Sequence, residues 1–226
     1  MNPHSYNTSN DRLYLEYAVA RLGAFSNVWW SLANEWDYVR CKSQGLSNGG
    51  SPVWDELGET LASEDAHRRP KSIHNGAHLY NHSRAWVSHV SLQGKLSEIP
   101  SIVGGRFGVK PVVWDETKYE GNIPLGWGRL GSDEMVDRFW LGLTWGVYVG
   151  HGETYLQAGV AQEEQTMWWS KGGSLRGFAP PSIGWFRDRV TDPSRPPFSE
   201  LVPLDAQPLT GCRGQALGSP APDKGH

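Results

Sequence analysis

Asn27-Val28-Trp29-Trp30-Ser31-Leu32-Ala33-Asn34-Glu35-Trp36-Asp37 is a run of apolar and aromatic residues that breaks off into an amide, a carboxylate, an indole and a second carboxylate. Val28 to Ala33 is short for a helix and rich in β-formers, and its near-continuous apolarity predicts a strand covered on both faces, as in a parallel sheet wrapped by helices. Ligands of such sheets sit at the carboxyl ends of the strands, which makes Glu35 a candidate catalytic group. A strand-end Glu more often only opens a solvated loop. A second stretch built the same way shifts that balance.

Lys110-Pro111-Val112-Val113-Trp114-Asp115-Glu116-Thr117-Lys118-Tyr119-Glu120-Gly121 starts at a proline, fills a short buried strand and ends in Glu116. In a parallel barrel all strands end on one face, so two strand-terminal glutamates would meet there. Glycoside hydrolysis requires such a pair: one carboxyl protonates the leaving oxygen, and the other attacks the anomeric carbon or activates water. Asp37 and Asp115 flank the two glutamates and form the rival pair.

These stretches, with Ser72-Ile73-His74-Asn75, Val87-Ser88-His89-Val90-Ser91-Leu92-Gln93, Asn122-Ile123 after Gly121 and His151-Gly152-Glu153-Thr154-Tyr155, resemble the apiosidase-like (β/α)8-barrel glycoside hydrolases of bacteria over roughly residues 8 to 192. That family belongs to the retaining clan whose acid/base follows strand four and whose nucleophile ends strand seven. The resemblance implies an α/β fold, a partial (β/α)8 TIM barrel comprising strands 4 to 8 with the amino-terminal strands missing, and hence a fragment of the active enzyme. It implies Glu35 as general acid/base and Glu116 as nucleophile. Asn34, Trp36, His74, Gln93, Tyr119, Trp145, His151, Glu153 and Trp168 are the expected sugar-binding groups, with Tyr119 also placed to orient Glu116. Each has an ordinary alternative: Asn34 as a turn former, the tryptophans as core, His89 as a satisfied core histidine.

The 226 residues suffice for one domain of sizeable core, although whole barrels run to about 250. Residues 1–192 are expected to form the partial barrel, and 193–226, where Pro193, Pro196, Pro197, Pro203 and Pro208 gather, a linker or tail that in the resembled family would lead to a small β-sandwich. A net charge of −3 with no long run of one sign calls for neither nucleic acid nor an anionic membrane surface. Cys41 and Cys212 have no metal-ligand spacing, and the histidines between His67 and His89 lack the helical setting of a zinc protease, so no metal or other cofactor is expected. No signal peptide or apolar span is legible; the chain reads as soluble, its compartment open but leaning to the cytoplasm. Twelve tryptophans suit a carbohydrate partner, because indole faces stack on sugar rings. Trp29, Trp30, Trp140 and Trp185 are assigned to core. A non-catalytic carbohydrate-binding or structural remnant is the alternative function, and an isomerase or aldolase lacks the lysine or metal set expected at strand ends.

Helices are expected from Arg12 to Gly23 with Leu15, Val19 and Leu22 inward, from Pro52 behind a Ser51 cap with Trp54, Leu57 and Leu61 inward, behind a Ser132 cap with Met135, Phe139 and Leu143 inward, and over 182–190 with Ile183, Phe186 and Val190 inward. Residues 40–50 read as a loop over the active face, and 156–181 as a lid or subsite wall.

Overall fold

The structure, a computed structural model, describes residues 8–38, 52–156, 175–197, 200, 202–203 and 217–218. The expected loop at 40–50, the Ser51 cap, both cysteines and Trp168 with most of the 156–181 excursion lie outside the described residues. The chain forms two compact units, Met1–Gln93 with Ser101–Val113 and Gly94–Pro100 with Trp114–His226.

In the first unit, α1 (Thr8–Leu22) packs on α2 (Pro52–Glu64). Val19 is buried, Leu15 is partly so, and Leu22 is exposed, so the inward stripe of α1 is one turn shorter than its spacing predicts. The Gly23 N–H then bonds to Val19 O at 2.8 Å and ends the helix. α2 carries proline at its first position, where no intrahelical N–H is needed. Its expected stripe of Trp54, Leu57 and Leu61 is buried with Ile73, Tyr80, Trp86 and Val87, each large side chain contributing on the order of 1.5–3 kcal/mol. Gly58 lets the Trp86 indole lie against the helix, since a Cβ there would stand 2.3 Å from the ring.

α2 is the crossover between β1 (Trp30–Ser31) and β2 (Lys71–Ser72), which pair in parallel with Trp30 opposite Lys71. The regular ladder is shorter than the Val28–Ala33 strand expected. Its hydrogen bonds nevertheless continue irregularly through the polar tip, from Trp30 N–H to Pro70 O, Leu32 N–H to Ser72 O, His74 N–H to Ala33 O and Trp36 N–H to His74 O. β3 (Val90–Gln93) follows, buried over Val90–Leu92. Between β3 and β4 (Val112–Glu116) the chain makes a single 3-10 turn and α3 (Ile99–Val103).

His82 sits wholly inside this unit, with Nε2 donating to Ile73 O at 3.2 Å and its ring edge-on to Phe107. Burial pushes its pKa down to about 4. Because the folded value lies below the unfolded 6.5, the stability linked to His82 is intact above about pH 6.5 and is lost as pH falls toward 4, about 3 kcal/mol in all. Urea unfolding of the wild type and of His82→Gln should therefore differ in their pH dependence across that window. Parallel curves would contradict it.

In the second unit, β4 runs out through Trp114 to Glu116, and the Gly150 N–H, just past β6 (Tyr148–Val149), bonds to Trp114 O at 2.9 Å. β5 (Glu120–Gly121) and β7 (Glu153–Thr154) pair in parallel, with Glu120 opposite Glu153. The core joins Leu130, Met135 and Ala179, flanked by Val136, Phe139 and Ile183, between α4 (Ser132–Thr144) and α5 (Ala179–Val190). Ser132 is not the cap of α4: Gly131 holds that position in an extended conformation with no side-chain cap, and Ser132 is the first helical residue. α5 starts three residues before the expected Ser182, because prolines at the head of a helix are tolerated.

Trp29, Trp140 and Trp185 are exposed rather than core. Trp29 stacks on buried His89 at 5.1 Å, Trp140 rests on Phe186, and Arg189 lies over Trp185. β8 (Val202–Pro203) and β9 (Leu217–Gly218), in the stretch expected as a tail, pair antiparallel. Among the described residues no helix is long and apolar enough to cross a membrane.

Candidate active site

Glu35 closes the β1 stretch in a left-handed conformation at φ 51°, which costs a residue with a Cβ on the order of 1 kcal/mol and recurs where function over-determines the backbone. The turn that holds it is anchored on both sides. Trp36 is buried, its indole N–H donating to His78 O at 3.0 Å and its ring edge-on to Tyr80, so it belongs to the core cluster. Asp37 is also buried and accepts three backbone N–H groups, from Gly76 at 2.6 Å and from Ala77 and His78 at 2.7 Å. Such charge-assisted bonds are the strong ones, and all are spent on fixing the chain. Asp37, named above as one of the rival catalytic carboxylates, is thus a backbone clasp.

Asn34 is exposed and Glu35 half-buried beside it. His74, at the end of the β2 stretch, is buried with Nδ1 3.1 Å from Ser91 Oγ. The Gln93 side chain reaches Glu35: Nε2 donates to Oε1 at 2.9 Å. The first unit therefore gathers Glu35, Gln93, Asn75 and the ends of β1, β2 and β3. A separate apolar cavity of about 270 Å³ between α1, β1 and α2 is lined by residues such as Tyr14, Trp30 and Leu57 and by none of the expected site residues.

In the second unit Glu116 is half-buried at the end of β4 and accepts a short hydrogen bond from the Tyr119 hydroxyl on Oε1. Asp115 points the other way along the strand and is exposed, as side-chain alternation requires. The turn between Glu116 and Tyr119 contains Lys118 at φ 81°, a second left-handed residue. Arg138 of α4 steadies the turn by donating Nη1 to Thr117 O at 2.8 Å, with its guanidinium over the Trp114 ring. The Tyr119 ring stands edge-on to Trp127 and lies so close to Gly152 that a Cβ there would fall 2.3 Å from it. Gly150 packs just as closely on Asp115 O, so the trailing ends of β4 and β6 lie together. Trp145 closes α4, ahead of β6, and therefore lies at the end of that strand away from Glu116.

His151 and Glu153 join a residue not singled out above, Glu120. Its carboxylate is fully buried and accepts Phe178 N–H at 2.7 Å, Tyr155 O–H at 3.0 Å, Ala179 N–H at 3.3 Å and His151 Nε2 at 3.3 Å. Glu153 accepts Arg176 N–H at 2.7 Å and Gly177 N–H at 2.8 Å. Ligand-type atoms of Glu120, His151 and Glu153 lie within 4.8 Å of one another, a spacing a cation can bridge. The backbone donors of residues 176–179 instead engage all four carboxylate oxygens, and the arrangement acts as an anchor for the head of α5. Burial, then the bond to Glu120, pushes the Tyr155 pKa up to about 12, which keeps its hydroxyl a donor.

No protein-family model matches the chain, and no curated protein does. Among solved structures it is similar to a protein of Bacteroides vulgatus ATCC 8482, determined at 1.80 Å resolution and provisionally assigned as a glycoside hydrolase, with 33% identity and a TM-score of 0.72. The match covers 89% of this chain and 37% of that one, so the chain spans little more than a third of that protein's length.

Proposed function

We propose that this chain carries catalytic groups of a retaining glycoside hydrolase acting on a poly- or oligosaccharide, on consecutive strand–helix units of a (β/α)8 barrel. The observation that carries this reading is the likeness, over nearly the whole chain, to a protein provisionally assigned as a glycoside hydrolase. The parallel β1–α2–β2 unit is the repeat such a barrel is made from. In each unit a half-buried glutamate has a polar partner on Oε1: Gln93 for Glu35, in the turn beyond β1, and Tyr119 for Glu116, at the end of β4.

In this reaction Glu116 attacks the anomeric carbon. The glycosidic C–O bond breaks with its electron pair passing to the leaving oxygen, which takes a proton from Glu35. Glu35, now a carboxylate, then removes a proton from the water that displaces Glu116. The Tyr119 hydroxyl on one oxygen of Glu116 would hold the carboxylate so that the other oxygen faces the sugar.

The test is hydrolysis of a panel of aryl pentosides and hexosides and of pectic and hemicellulosic oligosaccharides by the full chain, with the first-formed anomer read by proton NMR. Release of a sugar with retained configuration is expected. Inversion would remove Glu116 as nucleophile, and binding of a panel sugar without any hydrolysis would favour a carbohydrate-binding module.

A further inference from the structure

The Glu35 carboxyl is held by a relay of two amides. Asn75, wholly buried at the end of the β2 stretch, accepts the Gln93 backbone N–H on Oδ1 at 3.0 Å and donates Nδ2 to Gln93 O at 3.2 Å and to Gly76 O at 2.9 Å. One side-chain amide thus grips both backbone polar groups of Gln93, as a neighbouring strand would, and fixes where the Gln93 side chain begins. Gln93 spends its Nε2 on Glu35 Oε1, and its own Oε1 is buried without a partner among the described residues. Glu35 is constrained independently by its left-handed backbone and by the Tyr38 N–H on its carbonyl at 3.1 Å.

An amide N–H needs a lone pair opposite it, and a carboxylic acid offers one on its carbonyl oxygen but not in the direction of its O–H. Gln93 therefore favours one of the two oxygens of a protonated Glu35: the carbonyl oxygen is the stronger acceptor, and Oε1 takes that role. We infer that Gln93 is a positioning residue that assigns the acid proton of Glu35 to Oε2, with Asn75 setting Gln93 in place. The inference rests on the acid/base role proposed above and adds to it which oxygen delivers the proton and what enforces that choice. Loss of Gln93 lets the Glu35 carboxyl rotate and the proton reside on either oxygen, so proton delivery suffers over and above any loss of contact with the sugar.

That difference is measurable, because a phenyl glycoside needs a proton on its leaving oxygen and a 2,4-dinitrophenyl glycoside scarcely does. For Gln93→Leu, the fall in kcat/KM is expected to be about tenfold or more greater on the phenyl glycoside than on the dinitrophenyl glycoside of the same sugar, because any loss of sugar binding is common to both and only the general-acid contribution depends on the leaving group. Equal losses on both would overturn the inference, since a merely structural role would not sense the leaving group; no loss on either would do the same. A second measurement works without turnover: a double-mutant cycle of Glu35→Ala and Gln93→Ala in urea unfolding, with an expected coupling of about threefold or more in the unfolding equilibrium constant. If the wild type hydrolyses nothing on the panel, the proposed function fails by itself, and the cycle alone then decides whether Gln93 holds Glu35. Additive effects would overturn that too.

Discussion

Glu120→Ala is expected to destabilise the second unit by about 3–6 kcal/mol, enough to unfold a domain of ordinary marginal stability at room temperature. The Glu120 carboxylate, fully buried on β5, does from a distance what a capping side chain does locally. Phe178 is the N-cap of α5 and makes no side-chain cap, so the N–H groups of Phe178 and Ala179 depend on Glu120. Truncation would bury those donors and the Tyr155 hydroxyl unmatched, at about 1–3 kcal/mol apiece, and remove a negative charge from the positive end of a helix. Glu120→Gln, which retains one acceptor oxygen but turns an NH2 toward backbone donors, should fall between the two. Urea unfolding followed by circular dichroism decides it: a midpoint for Glu120→Ala within error of wild type would show that the anchor is not needed.

That anchor was not legible in the sequence, and the reason is physical. Tyr119-Glu120-Gly121 reads as the polar run after a strand, and nothing local marks a carboxylate whose partners are backbone N–H groups 58 residues away. Main-chain donors carry no residue identity, so no spacing rule can find them. Asp37 failed to announce itself for the same cause: beside Glu35 it looked like chemistry, yet the backbone of residues 76–78 takes up its carboxylate. Gly76 was the available hint, since a Cβ there would fall 2.7 Å from the Tyr38 ring. Local periodicity, by contrast, could be read: the buried stripe of α2 follows from residues three and four apart. So could Glu116 at the end of β4, because an apolar run that stops at a carboxylate is a local pattern, whereas the ladder of β1 ends at Ser31, short of Glu35. Single tryptophans carry no period, so nothing local distinguishes the exposed Trp29, Trp140 and Trp185 from core residues. The hold of Gln93 on Glu35 joins residues 58 apart and needed coordinates.

Glu116→Ala is expected to lower kcat/KM on an aryl glycoside by about 10⁴-fold or more, since it removes the atom that forms the new bond. Sodium azide should then restore turnover by entering the space of the lost carboxylate, attacking the anomeric carbon once and giving a glycosyl azide of inverted configuration. The same anion added to Glu35→Ala should give the azide with retained configuration, because there the covalent intermediate on Glu116 still forms and azide replaces water in the second step. The two products separate the roles in a way that loss of activity alone cannot. Asp115 is the control: it lies next in the chain but faces outward and exposed, whereas Glu116 is half-buried with Tyr119 on Oε1. Asp115→Asn should therefore remain within about threefold of wild type, as expected of a surface change away from reacting atoms. Full activity in Glu116→Gln together with its loss in Asp115→Asn would transfer the nucleophile to Asp115. It would also mean that the strand end turns over relative to its alternation, with the Tyr119 hydroxyl holding a carboxylate that takes no part in the reaction.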